Sequence, residues 1–196
     1  MNTYSHLFPI TLKTQWKTIA NVTSQNFIHE GVFDWLIDPS SLTARLKQHS
    51  NKFSIEVLGQ QVQPCSQQEA NEDIAEGEQV LVREVLLFCD EKPQVFARSL
   101  LPLSSLTGDE QKLAELGEQS LGQVLFNHVD LIRKGFEIAN FDQESSLTPL
   151  LNALHLSQST PLWGRRSVFI VKDKPIMVAE VFLPDSIAYR AKYNQA

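Results

Sequence analysis

Arg83 stands inside one of the most apolar stretches of the sequence, LVREVLLF at residues 81–88. Alternation along a strand places it on one face with Leu81, Val85 and Leu87. A buried guanidinium is costly unless it is paired. Arg83 therefore reaches the sheet edge, pairs with a structural carboxylate, or binds a carboxylate ligand, which its planar fork can hold with two parallel hydrogen bonds.

Glu180 raises the same question in IMVAEVFLP at residues 176–184. Its neighbours on one strand face are Ile176, Val178 and Phe182. A lone carboxylate on such a face lies on a solvated side of the sheet, pairs with a cation, or works in a pocket with a raised pKa. The pattern alone does not decide between these alternatives.

Two further segments are suited to bind anions. Trp163-Gly164-Arg165-Arg166-Ser167 places two cations beside an aromatic ring. Such a segment is either a surface turn with solvated arginines or a site for a dianionic ligand. Ser120-Leu121-Gly122 resembles a helix start, whose free backbone N–H groups favour an anion. Nearly every helix has such a start, so this second signal is weak alone.

The elements that must position these residues form an α+β pattern. Two β-rich runs flank the polar turn at residues 90–93, and two more flank residues 172–175, which predicts two antiparallel hairpins. Phe53, Ile55 and Val57 predict another strand, and residues 63–79 a surface loop. Short helices are predicted within 31–49, broken at Asp38–Ser41, and over 106–116, 120–126 and 147–156, and a strand over 131–138. One domain around one antiparallel sheet follows.

Composition excludes several functions. The 196-residue chain has a net charge of −6 and no run of five basic residues, which argues against nucleic-acid binding. Cys65 and Cys89 are far apart, and the five histidines show no metal-ligand spacing. Neither a signal peptide nor an apolar run of ~20 residues is present. We expect a cytoplasmic protein with reduced thiols and no stable membrane insertion.

Several segments together resemble the chorismate–pyruvate lyase family. They are, in order, Asp34-Trp35-Leu36, Ser41-Leu42-Thr43 with Arg45, LVREVLL, ARSLLP, SLGQVLF, WGRRS and AEVFLP. The resemblance spans about residues 31–184 and implies an antiparallel sheet with short helices that form flaps over an internal ligand pocket. We expect an N-terminal arm at 1–30, the lyase-like domain at 31–186 and a C-terminal tail at 187–196.

The resemblance also implies roles for single residues. Arg83 would grip the ring carboxylate of the product, and Glu180 would meet the hydroxyl end of the ring. Leu42 and Leu121 would contact the ligand partly through their backbone, although the family usually has Met at the position of Leu42. We further expect Arg165 or Arg166 to attract the second carboxylate of the substrate.

The implied activity is the cofactor-free conversion of chorismate to 4-hydroxybenzoate and pyruvate, the first committed step towards the ubiquinone ring. The only partner expected is this small substrate, and a monomer is favoured. Whether Glu180 removes the ring proton or only orients the ring stays open. The rival hypothesis is a non-catalytic domain of the same fold that senses a small aromatic acid.

Overall fold

The computed structural model describes residues 3–19 and 30–190. Parts of the predicted N-terminal arm and C-terminal tail therefore lie outside the described residues. The strands within the described part are β1 (Lys17–Thr18), β2 (Phe53–Pro64), β3 (Gln79–Cys89), β4 (Lys92–Pro102), β5 (Ile132–Arg133), β6 (Glu137–Phe141), β7 (Leu162–Val171) and β8 (Lys174–Phe182). The α-helices are α1 (Glu30–Leu36), α2 (Leu42–Gln48), α3 (Leu121–Phe126) and α4 (Thr148–Ala153).

All eight strands join one antiparallel sheet in the order β1-β6-β7-β8-β4-β3-β2, with β5 paired to β7 beside β6. The predicted α+β fold is confirmed. Both predicted hairpins are present, β3 with β4 and β7 with β8. Their turns are shorter than predicted, since only two residues join each pair of strands, Asp90-Glu91 and Lys172-Asp173. All four of these residues have positive φ (49°, 66°, 49° and 62°). Two consecutive left-handed residues match the twist of the flanking strands.

The predicted helix break is also confirmed, since Ser41 caps α2 by accepting a hydrogen bond from the Ala44 N–H, and Ser120 caps α3 in the same way. Three expectations need correction. The helix predicted over 106–116 is a 3₁₀-helix, Gly108–Glu115. The strand predicted over 131–138 is divided into β5 and β6. The loop predicted over 63–79 is shorter than expected and carries Glu69 inwards to a buried arginine, so it is not wholly at the surface.

The two faces of the sheet are covered by different parts of the chain. One face packs against α1, α2, the 3₁₀-helix and α3, through residues such as Leu36, Leu46 and Leu125. The other packs against the N-terminal segment, the 65–78 loop and α4, through residues such as Ile10 and Ile74. Because both faces are covered, charged strand residues on either face are buried. Across residues 3–19 and 30–190, no helix is long and apolar enough to cross a membrane.

Arg83 and its neighbour Glu84 point to opposite faces, and both are buried. Glu84 lies on the face under the N-terminal segment and accepts hydrogen bonds from Arg98 and from the Ile10 N–H, the latter at 2.8 Å and 3.0 Å. Arg98 also binds Glu69. This cluster ties the N-terminal segment and the 65–78 loop to the sheet, on the face opposite to Arg83.

Candidate active site

A pocket lies between the helix-covered face of the sheet and the first turns of α2 and α3. The lining side chains are mainly apolar, with a few converging polar groups. Polar or charged groups come from Thr43, Arg83, Ser99, Ser120, Arg133, Arg165 and Glu180, and the apolar walls from Leu42, Ile55, Val85, Leu87, Ala97, Leu121, Phe126, Phe169 and Val178.

The strand register explains why Arg83 and Glu180 share this pocket. Arg83 lies opposite Ser99 on β4, while Ala97, two residues earlier on β4, lies opposite Glu180 on β8. The two charges are therefore two strands and two residues apart on one face. Strand spacing and rise place their Cα atoms about 12 Å apart.

Arg83 is 2% exposed. One terminal nitrogen donates to the carbonyls of Gly117 and Gln119 at 2.8 Å and 3.0 Å, while its buried Nε has no hydrogen-bond partner among the described residues. Burial lowers the pKa of the guanidinium to about 10. Within the described part of the chain no carboxylate pairs with it, which argues against a structural ion pair as the reason for its burial.

Glu180 faces the same pocket from β8, which is separated from the strand of Arg83 by β4. Its Oε2 accepts a hydrogen bond from Arg165 Nε at 2.7 Å, and its side chain is 16% exposed. Arg165 lies directly opposite Glu180 in the β7–β8 register. The arginine also donates to the carbonyls of Trp35 and Asp38 at 2.7 Å and 2.8 Å. Glu180 is thus a paired carboxylate at the pocket wall, held in one orientation by the helix α1 end.

The roof of the pocket is made by the first turns of two helices. Leu42 begins α2 and Leu121 begins α3. The Thr43 and Ser120 hydroxyls hydrogen-bond at 2.7 Å and join these two starts. The first backbone N–H groups of a helix have no partner inside it, and Leu42, Thr43, Leu121 and Gly122 in these first turns line the pocket. Four of the predicted site residues, Leu42, Arg83, Leu121 and Glu180, are therefore brought together.

Arg165 and Arg166 separate, because adjacent strand residues point to opposite faces. Arg165 lines the pocket, whereas Arg166 lies on the other face, with its Nε bound to Glu137 at 2.7 Å and its guanidinium 5.0 Å from the centre of the Trp16 ring. Of the two arginines expected to attract a ligand carboxylate, the structure does not bring Arg166 to the pocket. Its pairing with Glu137 accounts for its burial.

Arg133 is a pocket residue that the sequence analysis did not identify. Its Nε donates to the Ser167 hydroxyl at 3.1 Å, and its guanidinium lies 4.1 Å from the centre of the Phe136 ring. Burial, followed by the charge of Arg165, lowers its pKa to about 10. The signal was weak because β5 is only two residues long, too short for an alternation pattern to indicate which way the side chain points.

The arrangement is suited to a small aromatic or cyclic acid. A guanidinium stands at one end, a carboxylate that can accept a hydrogen bond from a hydroxyl stands at the other, and apolar walls lie between them. The charged lining groups are three guanidiniums and one carboxylate, a net charge of +2. An acidic protein that concentrates positive charge in one half-enclosed pocket selects an anionic ligand.

Two solved structures illustrate the likeness in fold. PhnF from Mycobacterium smegmatis is 14% identical, with a TM-score of 0.57, and the match covers 82% of this chain and 71% of that chain. A GntR-family transcriptional regulator from Bacillus cereus is 14% identical, with a TM-score of 0.50, over 72% and 98% of the two chains. At this identity the likeness shows a common fold.

Sequence comparisons are more specific. The family model described as "Chorismate lyase" matches residues 12–193. The probable chorismate pyruvate-lyase of Psychromonas ingrahamii is 41% identical over 181 residues, covering 92% of this chain and 96% of the relative. That of Pseudoalteromonas translucida is 39% identical over 182 residues, covering 93% and 98%. With a family match over nearly the whole sequence and relatives this similar, the chain belongs to the chorismate lyase family.

Proposed function

We propose that this protein is a chorismate lyase, which converts chorismate to 4-hydroxybenzoate and pyruvate in the pocket between Arg83 and Glu180. The observation that carries the proposal is that one apolar pocket contains both the buried Arg83 guanidinium, which has no carboxylate partner among residues 3–19 and 30–190, and the Glu180 carboxylate. The family membership and the names of the relatives support the same activity.

The ring of chorismate has a carboxylate at one end and a hydroxyl at the opposite carbon. In the proposed pose, Arg83 and the free backbone N–H at Leu121 hold the ring carboxylate, because both donors face the same end of the pocket. Glu180 accepts the hydrogen bond of the ring hydroxyl. Leu42 closes the pocket above the ring, and a backbone contact there does not depend on which apolar side chain occupies the position.

The reaction breaks two bonds that join substituents to adjacent ring carbons, and it makes the ring aromatic. The C–H bond at the hydroxyl-bearing carbon gives its electron pair to a new ring double bond, and the neighbouring C–O bond breaks, with its electron pair leaving on the enolpyruvyl oxygen. The released enolate takes a proton at carbon and becomes pyruvate. Since aromatisation drives the reaction, the protein contributes chiefly position and preorganised charge.

The ring proton has two possible acceptors, the Glu180 carboxylate and the methylene carbon of the departing enolpyruvyl group. Glu180 lies at the hydroxyl-bearing carbon in this pose, so it is within reach of that proton. We propose Glu180 as the acceptor. Arg165 would then act by fixing the Glu180 carboxylate against the ring through the 2.7 Å ion pair.

The test is to mix the purified protein with chorismate and follow 4-hydroxybenzoate and pyruvate together. The proposal predicts equal amounts of both products at a rate proportional to protein concentration. Absence of turnover together with tight binding of 4-hydroxybenzoate would instead indicate a non-catalytic aromatic-acid sensor. Absence of both turnover and binding would refute the assignment of the pocket.

We also propose that the protein acts in the cytoplasm, in the first committed step towards the ubiquinone ring. The family supports the pathway. The acidic composition, together with two buried cysteines that form no disulfide, suits a reducing compartment. Localisation of a fluorescent fusion would test the first statement. The second predicts that deletion of the gene abolishes ubiquinone synthesis and that added 4-hydroxybenzoate restores it.

A further inference from the structure

The pocket contains more positive charge than an aromatic monoacid needs. Arg83 is directed at the ring carboxylate, and Arg165 is bound to Glu180. Arg133 is the remaining cation of the lining, and no carboxylate pairs with it in the part of the chain that the structure describes. The Asp38 carboxylate, which also acts on Arg133, is bound to Arg45 at 2.7 Å. The net pocket charge of +2 therefore resides on Arg83 and Arg133.

Chorismate is a dianion, and its second carboxylate belongs to the enolpyruvyl ether at the carbon next to the ring hydroxyl. Glu180 holds that hydroxyl in the proposed pose, so the ether must emerge beside Glu180. Arg133 is at this place, because its guanidinium and that of Arg165, the partner of Glu180, donate to the same Asp38 carbonyl, at 3.4 Å and 2.8 Å. Its Nε donates to the hydroxyl of Ser167, which lies on β7 two residues beyond Arg165, the residue opposite Glu180.

We propose that Arg133 binds the enolpyruvyl carboxylate and so makes the pocket selective for a dicarboxylate substrate. The inference rests on the proposed function and deepens it. Each of the two uncompensated guanidiniums then meets one carboxylate of the substrate. After the reaction, the charge that matched Arg133 leaves with pyruvate, and the product keeps only the carboxylate that matches Arg83.

Arg133 also has a structural contact that any test must separate from ligand binding. Its terminal nitrogen donates to the Pro39 carbonyl at 3.2 Å, at the break between α1 and α2. Arg45 holds the same break through Asp38 and through the Asp34 carbonyl at 3.0 Å, and it does not line the pocket. Arg45→Gln is therefore a matched control that loosens the break without removing a pocket charge.

The experiment compares the affinities of two stable ligands in the wild type, Arg133→Gln and Arg45→Gln. The monocarboxylate is 4-hydroxybenzoate, and the dicarboxylate is 3-(carboxymethoxy)-4-hydroxybenzoate, which carries an ether-linked carboxylate beside the hydroxyl. In Arg133→Gln we expect the dicarboxylate affinity to fall at least ~10-fold, the loss of one charge-assisted pair, and the monocarboxylate affinity to change less than twofold. In Arg45→Gln the ratio of the two affinities should stay at its wild-type value.

Equal losses for both ligands in Arg133→Gln would mean that Arg133 only supports the fold, and no loss for either would mean that it does not face the ligand. Both results overturn the inference. If Arg133→Gln fails to fold, an NMR measurement on the wild type tests the inference instead. Its Arg133 Nε–H NMR signal, assigned by its absence in Arg133→Lys, should shift with the dicarboxylate and not with 4-hydroxybenzoate, and equal shifts would overturn the inference.

The inference fails separately from the proposed function. A wild type that releases 4-hydroxybenzoate and pyruvate, while Arg133→Gln keeps the wild-type ligand ratio, retains the lyase assignment and loses the role of Arg133. A wild type without turnover loses the proposed function, whatever the ratio of ligand affinities.

Discussion

Truncation of Arg83 to alanine should remove the main determinant of carboxylate binding. Arg83 is 2% exposed, and its Nε has no hydrogen-bond partner among the residues that the structure describes, so a bound carboxylate gains a charge-assisted pair in a nearly dry site. Truncating one partner of such a pair typically costs ~2–5 kcal/mol. This corresponds to an increase of about 30- to 4,000-fold in the Kd for 4-hydroxybenzoate.

The assay is isothermal titration of the wild type and Arg83→Ala with 4-hydroxybenzoate and with its neutral analogue 4-hydroxybenzamide. The wild type should strongly prefer the acid, and the variant should bind both ligands with similar, weak affinity. Arg166→Ala is the control, because Arg166 is also buried but lies on the opposite sheet face against Glu137. An Arg83→Ala variant that stays folded and keeps the wild-type preference for the acid would refute the reasoning.

Three further predictions concern catalysis and stability. Glu180→Gln should lower kcat about 100-fold or more through loss of the proton acceptor, with 4-hydroxybenzoate affinity reduced less than tenfold; a kcat within tenfold of wild type would assign the proton to the enolpyruvyl group. Gly164→Ala should lower the unfolding free energy by ~1–3 kcal/mol, because a Cβ there would lie 3.0 Å from the Glu180 carbonyl, Phe141 and Val181. Thermal melts measure the loss, and an unchanged melting temperature would contradict the predicted clash. The hydrogen bond from Lys174 lowers the pKa of Glu110 from 4.5 to about 2. The ionised Glu110 side chain therefore contributes fully to the free energy of unfolding above pH 4.5, and this contribution is lost as the pH falls towards 2. The difference in unfolding free energy between wild type and Glu110→Gln should narrow over that range, and a constant difference would refute the pairing.

The sequence was most informative where strands are long. Arg83 lies in an eleven-residue strand and Glu180 in a nine-residue strand, so alternation identified the face that each occupies. Alternation also implies that Arg165 and Arg166 cannot both face one pocket. Which of them does so depends on the cross-strand register, which places Arg165 opposite Glu180. No local pattern in the sequence contains that information.

Other features depended on contacts between distant segments. Arg133 belongs to a two-residue strand, and its place in the pocket follows from the pairing of β5 with β7. Glu69 was expected in a surface loop, yet it is buried because Arg98 on the sheet binds it. In both cases an ionic or hydrogen-bond partner far along the chain decides the position of the side chain, and a single sequence does not reveal which partner is chosen.

The proposed orientation of the ring between Arg83 and Glu180 can be examined in a crystal structure of the complex with 4-hydroxybenzoate. We expect the carboxylate of the ligand to contact the Arg83 guanidinium and the backbone N–H at Leu121, and its hydroxyl to contact Glu180. A ligand bound the other way round, with its carboxylate at Arg133 and Arg165, or a ligand bound outside this pocket, would show that the proposed orientation is wrong.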